Sequence, residues 1–313
     1  MDDTFAEAFD MKMTRLIVTA EDATWCHDAA MAMVGFGTSV IACGIEIGVE
    51  RPLSPDETPD GRPGIAILAF AVSGNELERQ IPRRAGQCLL TCPTTSVFAG
   101  LMHHGVSAGP DQIPKRVPLG KSLRYFGDGH QISKRITLVD ESGADRPRRF
   151  WRIPVMDGEF ICEHDVGRTN AIGGGNFILL GRSQQSVTLA CRAAIAAINP
   201  MPGVITPFPG GATRSGSKVG SRYPTLSAST NESFCPSLRH LPDSMLPHEA
   251  TVAIEVVIDG IDANRIAAAM KAGMEAACHV DAAEPLVGIT AGNYGGKLGR
   301  HHFHLRDMIN LES

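Results

Sequence analysis

Glu255 is the one carboxylate inside an apolar run, Thr251-Val-Ala-Ile-Glu-Val-Val-Ile-Asp259. Read as a strand, alternation puts Val252, Ile254, Val256 and Ile258 on one face and Thr251, Ala253, Glu255, Val257 and Asp259 on the other. Covered by a substrate or a neighbouring protomer, a carboxyl on that second face is desolvated, which favours the neutral acid. A neutral acid donates a hydrogen bond and a proton, the service that acyl transfer to an amine requires. On an open sheet face the same residue is a solvated glutamate, the ordinary setting for this side chain. The residues alone leave both readings open.

Other constellations fall short of a chemistry. Gly211-Ala-Thr-Arg-Ser-Gly216-Ser-Lys218 places serine before lysine, whereas a phosphate loop needs Gly-Lys-Ser/Thr so that amine and hydroxyl reach phosphate and magnesium together. Gly173-Gly-Gly175-Asn-Phe-Ile leads into a strand, whereas a dinucleotide loop opens a helix. Clustered glycines still let a ligand approach the backbone, with peptide N–H groups free to donate; for any one cluster, tight turns are the better reading. Cys88 and Cys92 are separated by an extended run and followed by Pro93, and no second pair has zinc spacing. His301, His302 and His304 lack a visible further ligand, so no metal site is expected. A Gly-x-Ser-x-Gly nucleophile elbow does not occur.

These residues need a folded scaffold, and the composition supplies one. The 313 residues are 43% hydrophobic and 20% charged, a balance that permits a large core and excludes disorder, collagen and coiled coil. Glycine is enriched, 33 residues against roughly 7% in average usage, in clusters at 173–175, 210–211 and 292–296. A net charge of −5 speaks against nucleic acid or an anionic membrane as partner. The longest apolar stretch, Ile65–Val72, is far short of the ~20 residues that cross a bilayer. No leader is visible after Asp2-Asp3, and eight cysteines without one fit free thiols in a cytoplasmic protein.

Thr4 and Glu7 are spaced as a capping box and Phe5 and Phe9 stand four apart, so a helix is expected over residues 3–9. Strands are expected at 15–19, 38–42, 65–72, 87–91 and 176–180, helices at 22–34, 75–86 and 186–198. Asp157-Gly158 between two extended runs signals a hairpin. The last third echoes the first: Ala253–Gly260, a helix to Gly273 and an extended 285–290 repeat the order of Ala66–Gly74, a helix to Gly86 and 87–91. Both helices close on a basic residue, alanine and glycine, and Gly35/Ser39 and Gly211/Ser215 share a Gly-x-x-x-Ser spacing. Duplication of a strand–helix–strand lobe is expected, as domains 1–150 and 151–313.

Taken together, Asp3-Thr-Phe-Ala-Glu-Ala-Phe9, Gly37-Thr-Ser-Val-Ile41, Glu57-Thr-Pro-Asp-Gly-Arg-Pro-Gly64, Gly86-Gln-Cys88, Phe126-Gly-Asp-Gly129, Gly173–Phe177, Pro207–Gly211, Ser217–Gly220, Ala228–Asn231, Cys235-Pro236 and Ala291–Gly299 resemble the formylmethanofuran:tetrahydromethanopterin formyltransferase family along nearly the whole chain. Val40-Ile-Ala-Cys-Gly44 and Leu90-Thr-Cys-Pro-Thr94 resemble the bacterial members, found in methylotrophs as one component of a formyltransferase/hydrolase complex. His103–Pro118 and Arg135–Arg149 match poorly.

The resemblance implies an α+β fold of two ferredoxin-like, split β-α-β lobes with antiparallel sheets. It implies an acyltransferase moving a formyl group between N5 of tetrahydromethanopterin and the amine of methanofuran, in one-carbon oxidation. No cofactor is bound permanently; both carriers arrive as substrates. Implied partners are further copies of the chain, as dimer or tetramer, and an amidohydrolase with the other subunits of the complex. Glu255 matches the family's key glutamate and becomes the catalytic candidate. Gly174, Gly175, Asn176, Phe208, Gly210, Gly211, Ser217, Lys218, Ser229, Thr230, Asn231, Asn293 and Lys297, in the matched loops, become candidates for substrate binding. Acidic substrate tails would find cations in Lys218, Lys297 or the run Arg146, Arg148, Arg149 and Arg152, which also reads as a solvated basic face. The competing function is a catalytically silent pterin-binding or scaffolding subunit, against which Glu255 and the intact loops of 210–236 speak.

Overall fold

Residues Phe5–Thr19 form one long strand, β1, where a helix is expected over its first turn. Ala6 and Ala8 are fully buried on one side, a period-2 pattern that tertiary pairing rewards over the weak local signal of the Thr4/Glu7 spacing. The computed structural model describes residues 1–37, 44–101, 116–139, 145–214, 223, 225 and 232–309. The described residues gather into two compact units, one from 12–37 and 44–170, the other from 1–11 and 171–309.

In the first unit, helix α1 (Ala23–Gly37) starts where Asp22 accepts the N–H groups of Thr24 and Trp25 at 2.8 and 2.9 Å. It runs through Gly35 rather than stopping there. Strand β2 (Glu46–Leu53), not foreseen in the sequence, precedes β3 (Gly64–Ala71), helix α2 (Gly74–Arg84) and β4 (Ser96–Ala99). Lys12–Thr19 of β1 pairs with β3 on one edge and, at Leu16–Thr19, with β4 on the other, while β2 takes the far edge of β3. The order is β2–β3–β1–β4, antiparallel throughout. Leu16, Val18, Ile67 and Ala69 form a core with Met33 of α1 and Leu77 and Ile81 of α2.

The strand expected at 87–91 is instead a π-helical continuation of α2, with the Leu90 N–H donating to the Ala85 carbonyl at 2.9 Å. A short apolar run does not distinguish the two by periodicity, and here Cys88 and Leu89 bury their side chains as part of the helix. Residues 38–42, also read as a strand, lie outside the described residues. The unit continues through β5 (Arg116–Pro118), a short α3 (Gly120–Leu123), β6 (Ile132–Val139), β7 (Asp145–Val155), β8 (Gly158–Glu163) and β9 (Asp165–Gly167). β6, β7 and β8 form an antiparallel meander, and the expected hairpin closes with Val155 opposite Gly158. β8 lies parallel to β4, and β5 pairs with β9.

The second unit is built from β10 (Thr169–Gly181, of which Ala171–Gly181 belong here), α4 (Gln184–Ile198), β11 (Val204–Ile205), β12 (Val252–Gly260), α5 (Ala263–Cys278), β13 (Gly288–Thr290), β14 (His301–His304) and α6 (Leu305–Ile309). Ser183 caps α4 and Asp262 caps α5, each side chain accepting the N–H three residues on. β12 pairs with β10 and β11, β10 pairs with β13, all antiparallel, and Phe5–Ala8 of β1 pairs with β14. The order β11–β12–β10–β13 repeats that of the first unit, strand for strand.

Gly273, expected to end a helix, sits inside α5. A methyl placed on it would lie 2.8 Å from Ile198 Cδ1 and 3.0 Å from Phe177 Cζ, so glycine lets α5 seat closely on α4 and β10. Gly273→Val is therefore expected to cost about 1–3 kcal/mol by overpacking, read as a lowered urea midpoint. An unchanged midpoint would remove the close approach as the reason for glycine.

Candidate active site

Strand β12 divides as its alternation demands. Val256 and Ile258 are buried against Ile266 and Met270 of α5, with Val252 and Ile254 packed at the margin of the same cluster. On the other face Ala253 joins Ile178, Leu180, Phe234 and Leu246 in a small apolar cluster. Glu255 stands opposite Ile178 in the register and is 6% exposed. Its backbone is satisfied on the outer edge too: the Glu255 N–H donates to Thr213 O at 2.9 Å and the Thr213 N–H donates to Glu255 O at 2.8 Å.

Among the described residues the carboxyl group accepts no hydrogen bond, and none of their charged groups shifts its titration. Burial alone pushes its pKa up to about 8. At neutral pH Glu255 is therefore mostly the protonated acid. A methyl placed on Gly292 would lie 3.4 Å from Glu255 Oε1 and 3.3 Å from Asn176 Oδ1, so the bare Cα of Gly292 borders both groups. Asn176 grips the Gly292 peptide from both sides: its Oδ1 accepts the Gly292 N–H at 2.6 Å and its Nδ2 donates to Gly292 O at 3.1 Å. The same Nδ2 donates to Gly174 O at 3.1 Å. Asn176 thus ties β10 to the segment that follows β13.

The glycine-rich segments 173–175 and 292–299 are held in different ways. In 173–175 the β10–β12 register shifts between Ile172 and Gly175, making a bulge. Gly174 takes φ +91°, open to glycine and costly for other residues, and its N–H donates to Asp259 Oδ1 at 3.0 Å. Gly175 is buried, and a methyl there would meet Ile266 Cγ2 at 2.4 Å.

In 292–299 the organiser is Glu7, 1% exposed. Its Oε2 accepts the N–H groups of Tyr294 and Gly296 at 2.6 and 2.9 Å, and its Oε1 those of Leu298 and Gly299 at 2.7 and 2.6 Å. Burial alone would raise its pKa, yet those four peptide hydrogen bonds together hold it below the ordinary value. Glu7 is a buried anion. The sequence reading missed it by assigning it to a helix cap; the available signal was a lone carboxylate between two alanines of an alternating stretch.

Asn293 is turned toward β1, its Nδ2 donating to Thr4 Oγ1 at 3.2 Å and Phe5 O at 3.1 Å. Lys297 is exposed. Phe208 lines a groove of about 700 Å³ with Pro209, Arg214, Pro236 and Ala253; Thr213, the backbone partner of Glu255, lines it too. Gly210 and Gly211 both take positive φ at its rim, Gly211 buried against Ile195 and Gly210 facing open space. Ser217, Lys218, Ser229, Thr230 and Asn231 lie outside the described residues. In the arginine run, Arg148 makes a buried bidentate pair with Glu163, and Arg152 pairs with Glu159 at 2.6 Å. Those two cations are already neutralised within the first unit. Arg149 stacks over Trp151, 5.4 Å from the ring centre.

Two family profiles match the chain: "Formylmethanofuran-tetrahydromethanopterin formyltransferase" over residues 1–155 and "FTR, proximal lobe" over 158–308. The protein is 66% identical over 307 residues to the formylmethanofuran–tetrahydromethanopterin formyltransferase of Rhodopirellula baltica, covering 98% of this chain and 90% of that one. It is 49% identical over 310 residues to a component of the formyltransferase/hydrolase complex of Methylorubrum extorquens, covering 99% and 95% of the two. The crystal structure of the formyltransferase/hydrolase complex from that organism, in complex with methylofuran, contains a chain that superposes with a TM-score of 0.88 over 98% of this chain and 96% of its own. The chain belongs to the formylmethanofuran–tetrahydromethanopterin formyltransferase family.

Proposed function

We propose that this protein transfers a formyl group between N5 of tetrahydromethanopterin and the primary amine of methanofuran, with Glu255 as the acid of the reaction. The observation that carries the assignment of Glu255 is a carboxyl kept protonated by burial, bordered by the bare Cα of Gly292. In the direction toward methanofuran, the amine lone pair attacks the formyl carbon and the carbonyl electrons move onto oxygen. The Glu255 O–H hydrogen-bonds to that oxyanion, a contact whose removal typically costs about 2.7–4 kcal/mol of barrier. As the C–N5 bond breaks, Glu255 gives its proton to N5 and recovers one from the nitrogen that has formed the new bond. The acid is thereby regenerated. Holding two large carriers in contact supplies much of the remaining acceleration.

We place the elongated carriers along the Phe208–Arg214 groove and the glycine segments, with Gly174, Gly175, Asn176, Gly210, Gly211, Ser217, Lys218, Ser229, Thr230, Asn231 and Asn293 as binding residues and exposed Lys297 as a cation for an acidic tail. Each unit is read as a ferredoxin-like, split β-α-β lobe, a reading supported by the orders β4–β1–β3–β2 and β13–β10–β12–β11 with one helix after each of the first and third strands. The likeness to a component of the Methylorubrum complex supports a place in an assembly with an amidohydrolase that releases formate, and with further copies of the chain. Free thiols at the described cysteines support a reducing, cytoplasmic setting.

Glu255→Gln is expected to lower kcat by about 10²–10³-fold in a formyl-transfer assay, with the fold retained by circular dichroism. In the wild type, kcat/KM is expected to fall above about pH 8 as Glu255 ionises; this alkaline limb disappears in Glu255→Gln. The stability of the wild type falls with rising pH as well. A carboxyl whose pKa is raised on folding contributes stability that is fully present below its unfolded pKa and is lost as pH rises through the folded value. The urea midpoint of Glu255→Gln should therefore match the wild type near pH 4 and exceed it at pH 9. A variant equally active, or less stable at pH 9, would remove Glu255 from this role.

A further inference from the structure

The mechanism uses Glu255 but leaves unexplained why a second buried carboxylate, Glu7, sits in the same unit with all its acceptor capacity committed. Two carboxylate oxygens offer about four lone-pair sites, and Glu7 fills them with the four peptide N–H groups of Tyr294, Gly296, Leu298 and Gly299. Such a cluster orders a loop that its own sequence would leave free. Gly295 and Gly296 both take positive φ, near +71° and +72°. Gly299 is pressed against β1, where a methyl would meet Ala8 O at 2.4 Å.

The loop begins at Gly292, the residue that borders the Glu255 carboxyl. Its carbonyl accepts from the Glu7 backbone N–H at 3.3 Å and from Asn176 Nδ2. Asn293 then ties the turn to Thr4 and Phe5. Glu7 therefore holds both ends of the segment, the near end by its backbone and the far end by its side chain.

We propose that Glu7 is a positioning residue for formyl transfer: its carboxylate fixes the 292–299 loop, and the loop holds the Gly292 peptide and Asn176 as the wall that keeps water from Glu255. The proposal rests on the reading of Glu255 as the acid. The surroundings of the two carboxyls support a division of labour. Among the described residues, the groups beside Glu255 on its face are Asn176 and Ile178 on β10, Thr213 at the edge, Thr290 on β13 and Gly292, none of them ionisable; Arg214 is exposed beyond the edge, and Asp259, four residues along the same strand, accepts the Gly174 N–H. Glu7 faces peptide N–H groups, with His302 and His304 of β14 and Tyr294, packed on Phe9, the titratable side chains among the described residues on its side of β1. One carboxyl is stripped of donors and stays neutral. The other is saturated with them and stays charged.

The test compares pH profiles of kcat/KM for wild type, Glu255→Gln and Glu7→Gln, using the full-length protein and the two formyl carriers as substrates. Glu7→Gln keeps the shape but replaces one acceptor oxygen by a donor. The loop then loosens, water reaches Glu255, and its pKa moves back toward the ordinary range. Expected is a loss of about 10- to 100-fold in kcat/KM at pH 7, together with a shift of the alkaline limb to lower pH by about one unit. Ile67→Val, in the core of the other unit, serves as a destabilised control whose limb stays in place. If Glu7→Gln retains the wild-type limb, the proposal is overturned whether or not its activity falls. If the wild type has no alkaline limb that Glu255→Gln abolishes, the reading of Glu255 has failed instead, and this inference with it. Should Glu7→Gln not fold, hydrogen exchange on the wild type decides: the amides of Tyr294, Gly296, Leu298 and Gly299 are expected to be protected at pH 7 and to lose protection together on acidification, and rapid exchange at pH 7 overturns the proposal.

Discussion

Burying a carboxyl group without a partner leaves it two states, an expensive anion or a neutral acid, and the balance of the two is set by how well water is kept out. Glu255 is in that position. An ionised carboxylate in an apolar setting is strongly penalised, and no described neighbour offers the compensating charge or donor. Much of the second unit follows from meeting this condition. The strand alternation sends Val256 and Ile258 to the helices and Glu255 to the opposite face; Ile178 flanks it on β10, Thr213 closes its outer edge, and Gly292 and Asn176 finish the enclosure. A substrate atom that enters this enclosure meets a proton donor already desolvated, so little reorganisation is required at the moment of reaction.

The same unit shows how the opposite environment is built from the same kind of side chain. Glu7, on an adjoining stretch of backbone, also has almost no exposed surface, yet four peptide donors hold it charged. Two glutamates with titrations pushed in opposite directions are a recognised mark of sites that need one acid and one fixed anion. The glycines have a place in both. Gly292 lets the loop backbone approach the Glu255 carboxyl closely, Gly295 and Gly296 let the loop curl its N–H groups onto Glu7, and Gly174 lets β10 bulge toward Asp259.

A good part of this was legible in the residues. The alternation around Glu255 fixes its face, and the strand-then-helix order read in both halves is that of β3 with α2 and of β12 with α5. The Asp157-Gly158 turn closes the hairpin it announces. What escaped the reading depends on partners distant in the chain. Nothing near Glu7 reveals that its donors lie about 290 residues away, so Thr4 and Glu7 read as a helix cap. The run 87–91 is too short for periodicity to separate strand from helix, and it continues α2 as a π turn. Gly273 looks like a helix stop because glycine usually is one, whereas here it is the point where α5 meets Phe177 and Ile198. Arg148 and Arg152 look like a basic surface until Glu163 and Glu159 arrive from the next strand.

A carboxyl titration reads the protonation of Glu255 at neutral pH without an intervening assay. Carbon-13 labelling of the glutamate side chains, with Glu255→Gln as the spectral blank, isolates one resonance to follow by NMR from pH 4 to pH 10. This resonance is expected to titrate near pH 8. A titration near the ordinary glutamate value of about 4.3 would show Glu255 ionised at neutral pH and would contradict its role as the acid.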